Sequence, residues 1–140
     1  MTALAADRIT ARRIGAQHED PVAAGKVLYV GALAVLDAAG NLAPATAATG
    51  LTARGVVQEA VDNSAGAAGA VTGKTATGVF RFANAGDVDR TFIGKPAYAL
   101  DDQTVSSSSN ANTRSVVGTI DDVDADGVWV AVGIVTGIGY

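Results

Sequence analysis

The chain has 140 residues, about one domain with a modest core, and its net charge of −4 argues against a nucleic-acid-binding domain. It has no cysteine, which excludes disulfides and thiolate metal sites. Hydrophobic residues reach 49% but consist largely of Ala and Val; with 5% aromatics and 17 Gly, that favours a thin, turn-rich β architecture and makes oligomerisation an expectation.

Residues 1–20 read as an extended N-terminal arm. The start, Met1-Thr2-Ala3-Leu4-Ala5-Ala6-Asp7, lacks the charged leader and apolar centre of a signal peptide, and no apolar run reaches the ~18 residues of a membrane span. The expectation is a soluble chain, unexported by that route and without a membrane partner. Arg8-Ile9-Thr10-Ala11-Arg12-Arg13-Ile14 carries too little apolar content for a core element, so it is expected to order against its own body or a partner. Residues 1–15 hold Arg8, Arg12 and Arg13 against Asp7 alone, while the last 40 residues hold six Asp and one Arg. A basic arm is thereby matched to an acidic surface on a neighbour. The arm holds the only His, His18, read as solvated, and ends at the turn pair Asp20-Pro21.

From Lys26 the apolar period is two. Lys26–Val30 and Ala32–Leu36 are short runs separated by Gly31 and closed by Asp37-Ala38-Ala39-Gly40-Asn41, the length and punctuation of strands. Ala43–Ala53, with Pro44 and Gly50, reads as a loop. Strands are predicted at Arg54–Val61, Ala70–Thr72 and Thr77–Phe82, followed by a polar connection over 83–96 and a strand at Ala97–Leu100. A Ser/Asn loop at Ser106–Asn112 precedes strands at Arg114–Ile120 and Val128–Val132, the latter with the strongest β propensity in the chain. Trp129 is read as half of a core face.

An internal echo runs through this pattern. Gly25-Lys26-Val27-Leu28-Tyr29 returns as Gly94-Lys95-Pro96-Ala97-Tyr98, and Arg54-Gly55-Val56-Val57 returns as Arg114-Ser115-Val116-Val117. The separation falls from 69 to 60 residues, which requires a shorter loop in the second half. Two similar β units packed together make a small barrel or sandwich. The fold class is all-β, with a body over 21–140 built of two similar halves.

Two motifs suggest chemistry that their surroundings do not support. Ala68-Gly69-Ala70-Val71-Thr72-Gly73-Lys74-Thr75 fits a relaxed phosphate loop, and a nucleotide hydrolase working through Lys74 is the enzyme alternative. A phosphate loop needs a strand before it and a helix after it, and here a Gly/Ala loop and a β run take those places. Asp122-Val123-Asp124-Ala125-Asp126-Gly127 opens like a calcium loop, but the twelfth position is Gly133 where a Glu is required, and both flanks are β. A hairpin with Asp126-Gly127 at its tip accounts for it. Ser106-Ser107-Ser108-Ser109 reads as a flexible loop without a paired base, and Asp101-Asp102 as a turn. No catalytic residue, cofactor site or metal site is assigned.

The order Gly-Lys-x-x-Tyr, an apolar-to-acidic turn, a Gly-Val-Val strand and a terminal Gly-Val-x-Val-x-Val strand resembles the capsid cement (decoration) proteins of tailed bacteriophages and prophages. The segments carrying it are Gly25–Asp37, Arg54–Ala60, Gly78–Phe82, Gly94–Asp102, Ser115–Asp121 and Gly127–Val132. The resemblance implies a β-tulip-like protein without enzymatic activity, made in the host cytoplasm and carried on the virion. It further implies a homotrimer bridging copies of the major capsid protein. Arg8, Ile9, Arg12, Arg13 and Ile14 are the expected capsid or inter-protomer contacts. The alternatives are another virion subunit, such as a tail or head-surface spike, or a glycan-binding β module using Trp129, Tyr98 or Tyr140.

Overall fold

The computed structural model describes residues 3, 5, 6, 8 and 16–133. Those residues form twelve strands and one 3-10 turn, so the all-β class holds. Seven strands come first: β1 (Gln17–Pro21), β2 (Val27–Leu28), β3 (Leu33–Leu36), β4 (Leu42–Pro44), β5 (Thr52–Val57), β6 (Val61–Asp62) and β7 (Thr72–Ala76). The remaining five are β8 (Gly78–Asn84), β9 (Pro96–Ala99), β10 (Thr104–Ser106), β11 (Val116–Asp124) and β12 (Gly127–Val132), with the 3-10 turn at Arg90–Phe92 between β8 and β9.

The expected pair of similar halves is present, and it is two barrels in tandem. The first sheet runs β1-β7-β5-β3-β4, and a parallel bridge from Val22 to Leu42 brings β4 back to β1. The second runs β8-β12-β11-β9-β10 and closes fully, β10 lying parallel to β8 through Thr104↔Ala83 and Val105↔Asn84. Strand for strand, the order is the same.

The registers also coincide. Ala34↔Gly55 in the first barrel matches Ala97↔Gly118 in the second, and in each a bulge follows, skipping Arg54 in one and Val117 in the other. Val57↔Thr75 matches Ile120↔Val130, and Gln17↔Ala76 matches Val79↔Ala131. The Gly31 amide donates to Val57 O as the Gly94 amide donates to Ile120 O, with φ of 87 and 86 at the two glycines. The closing contacts agree as well: the Ala23 amide reaches Leu42 O at 2.9 Å, and the Ala85 amide reaches Val105 O at 3.0 Å.

This correspondence corrects the sequence echo in detail. Gly94 answers to Gly31, 63 residues away, and Arg54 answers to Val117. Gly25 makes a further copy of the same turn, donating to Asn63 O while the Asn63 amide reaches Lys26 O, which is why its sequence looks equivalent. The shorter second-half loop is found between the last two strands of each unit: Val57 and Thr75 stand 18 positions apart, Ile120 and Val130 only 10.

Burial explains why β3 reads as a continuous apolar run and not as an alternation. Ala34 points into the first barrel with Val22, Leu28, Leu42 and Val57. Leu33 and Val35 pack on the other side, with Val56 and Ala45, against the second barrel's Phe82, Ala97, Val105, Val117, Ile120, Val128 and Val130. A strand covered on both faces loses the polar half of its period. Each fully buried Val or Leu stabilises the fold by about 1.5–3 kcal/mol, so this shared layer is what joins the barrels.

Several sequence expectations shift. β1 pairs with β7 over its whole length, so Gln17–Asp20 belong to the first barrel although they lie in the segment read as an arm. β4 lies within the stretch read as a loop, and β8 runs on to Asn84. On β12 the three Val residues face the core, while Trp129 faces outward and is half-buried.

Candidate functional site

The residues with catalytic-looking spacing are engaged structurally. Gly73, Lys74 and Thr75 sit within β7, where a phosphate loop would need a helix to follow. Lys74 pairs with Glu59 at 3.6 Å, and Thr75 is fully buried. Asp124 caps the β11–β12 hairpin: Oδ1 accepts the Asp126 and Gly127 amides at 2.8 and 3.0 Å, and Oδ2 accepts the Trp129 indole N–H at 2.8 Å. The Trp129 bond first, and the Asp126 amide after it, hold this carboxyl below its ordinary 3.8. Arg90 binds Asp122 at 2.9 Å, and Arg81 lies over the Trp129 ring at 5.7 Å with Asp126 3.9 Å away. These carboxylates are committed to protein donors, and among the described residues no group of three His, Asp or Glu is arranged to hold a metal ion.

His18 stands on β1 and is half-buried, opposite Thr75 in register, so the solvated-arm reading is corrected. Ser106 is likewise no part of a flexible loop. It is buried in β10, donates to Asp87 Oδ2 at 2.5 Å and accepts from Arg114 Nη1 at 3.2 Å. Beyond it, Asn110, Ala111 and Asn112 form a left-handed turn, with φ of 49, 58 and 64, closed by the Thr113 amide on Ser109 O at 2.9 Å. That backbone costs roughly 1–2 kcal/mol at Ala111, and the Asp87–Ser106–Arg114 network fixes the neighbouring chain.

Of the expected interface residues, Arg8 is exposed. Ile9, Arg12, Arg13 and Ile14 lie outside the described residues, as does Tyr140; Tyr98 is half-buried in β9. The described surface offers a different feature, the loop between β2 and β3. Tyr29 and Val30 at its tip are 67% and 65% exposed, the most exposed large apolar side chains described. Val30 corresponds in register to Ile93, also exposed, so an apolar residue precedes the left-handed glycine in both barrels. Only the first barrel extends this corner with the β2–β6 ribbon and adds an aromatic ring. The sequence pattern places Tyr29 within a strand; its position between two apolar runs, two residues before Gly31, is the available sign of a turn.

Compared with known proteins, the chain matches no family model, no curated protein and no solved structure.

Proposed function

We propose that the chain is a structural virion protein that binds the outer surface of a phage capsid and stabilises it by bridging major capsid subunits, acting as a homotrimer and without catalysis. The observation that carries this reading is the tandem repeat. Two barrels of one strand order and register, fused through a shared apolar layer, present like surfaces side by side. Such a body suits contact with neighbouring copies of one subunit in a shell. A ligand that binds only the assembled shell stabilises it by mass action. The basic segment ahead of β1 adds a cationic contact to an otherwise acidic chain. The glycan alternative is less well supported, because the Trp129 ring carries Arg81 over a face and its N–H is bonded to Asp124.

Co-sedimentation with assembled heads tests the proposal. The wild-type chain is expected to pellet with heads and raise their disassembly temperature, and Arg12→Ala/Arg13→Ala to weaken binding about tenfold at low salt. Wild-type protein left in the supernatant overturns the capsid reading. Unchanged binding by the double variant removes the arm from it.

A further inference from the structure

We propose that Tyr29 and Val30 form a preformed knob that enters an apolar socket bordered by Lys or Arg side chains on the capsid subunit. This rests on the capsid-binding reading and names the contact that would carry it.

The knob is held in shape before any partner arrives. Tyr29 O accepts the Ala32 amide at 3.1 Å, Gly31 donates to Val57 O at 3.0 Å, and the Leu33 amide reaches Asp102 O at 2.8 Å. A tip fixed on both sides loses little conformational entropy on docking. The aromatic ring and the neighbouring Val have no role in either apolar cluster, yet they stand in water. The second barrel, built on the same frame, closes without this extension. Stability of the fold therefore does not account for it, and an exposed rigid aromatic beside a branched apolar residue is the composition of an interface anchor.

The surroundings define the partner. On one side of Tyr29 lies a hollow of about 330 Å³ that includes Asp62; on the other lies one of about 380 Å³ that includes Asp102. Neither hollow is lined by Lys or Arg. An apolar centre between two carboxylates complements a socket with a cationic border, and it disfavours anionic lipid and nucleic acid.

Tyr29→Ser/Val30→Ser, compared with the full wild-type chain, is the decisive variant; both side chains are exposed, so folding is expected to be unaffected. The probe is heads assembled from the major capsid protein encoded beside the chain's gene. Apparent affinity is expected to fall at least about tenfold, with melting temperature and sedimentation coefficient unchanged. Added salt shortens the Debye length and weakens the wild-type contact, and Asp62→Asn/Asp102→Asn should flatten that loss of binding between about 50 and about 500 mM NaCl. Equal binding by the Tyr29/Val30 variant overturns the knob while leaving the capsid reading intact. A lower sedimentation coefficient also overturns it, assigning the tip to contacts between copies of the chain. Wild-type protein that ignores the heads overturns the capsid reading itself, and the knob with it.

Discussion

In the first barrel Gly73 leaves room for the side chains of Leu28 and Leu42, and a Cβ there would stand 2.8 Å from Leu42 and 3.0 Å from Leu28. In the second barrel Val128 takes the place of Gly73, and Val105 takes the place of Leu42. Volume has moved from one wall to the other while the strands kept their register. Polarity has moved as well. Asp20 and Arg54 form a two-pronged ion pair at 2.7 and 3.0 Å, and the corresponding positions hold Phe82 and Val117, both buried. Cores accept such exchanges when total volume and pattern are kept. The backbone contacts that set the bulge are the part that stayed fixed.

Gly55 and Gly118 are the sharpest case. A Cβ on Gly55 would lie 2.5 Å from Ala76 O, and one on Gly118 would lie 2.2 Å from Ala131 O, the same carbonyl in the two frames. These oxygens belong to ladders and cannot retreat without breaking them. Gly118→Ala and Gly55→Ala are each expected to lose about 3 kcal/mol or more in urea denaturation. Wild-type stability in both would mean the shared bulge does not depend on that approach.

A smaller effect is expected at the ion pair. Arg54→Ala leaves Asp20, whose side chain is 13% exposed, without its partner, at a cost of about 2 kcal/mol. Asp20→Phe/Arg54→Val, which installs the second barrel's residues, should recover most of that loss. A double variant less stable than Arg54→Ala would show that the two positions are not interchangeable.

The smallest predicted change is a gain. Thr75 Oγ1 is buried without a hydrogen-bond partner among the described residues, and the matching position is Val130. Thr75→Val removes the orphan hydroxyl at constant shape and should add about 1 kcal/mol. Loss of stability on that change, measured by thermal melting, would mean the hydroxyl is needed where it stands.

Much of the fold is legible where burial is one-sided or complete: β8, β12 and the two-faced β3 carry their period or their apolar run openly. β1, β4 and β10 are not, because Gln17-His18-Glu19-Asp20, Leu42-Ala43-Pro44 and Thr104-Val105-Ser106 owe their strand state to neighbours and not to their own propensity. The repeat is visible but misaligned, since one Gly turn occurs three times and the sequence does not say which two correspond. The outward face of Trp129 depends on Asp124 and Arg81, which come together only across the hairpin and the next strand. For the same reason the exposed tip is hidden: the sequence around Tyr29 is as apolar as the core beside it.

The seam of the first barrel gives the molecule an uneven ladder of local openings. β1 and β4 are joined by the Val22–Leu42 bridge, whereas β8 and β10 share a ladder. The buried Asn63 side chain spans the seam's near side, its amide reaching Val22 O, Ala23 O and Ala67 O at 3.0–3.3 Å. Parting that seam uncovers one small apolar cluster and leaves the other intact, so amide hydrogens around Val22 and Ala23 report a sub-global unit distinct from the rest. In the proposed capsid role, one yielding and one unyielding half would let the chain adapt to a lattice on one side while holding its shape on the other.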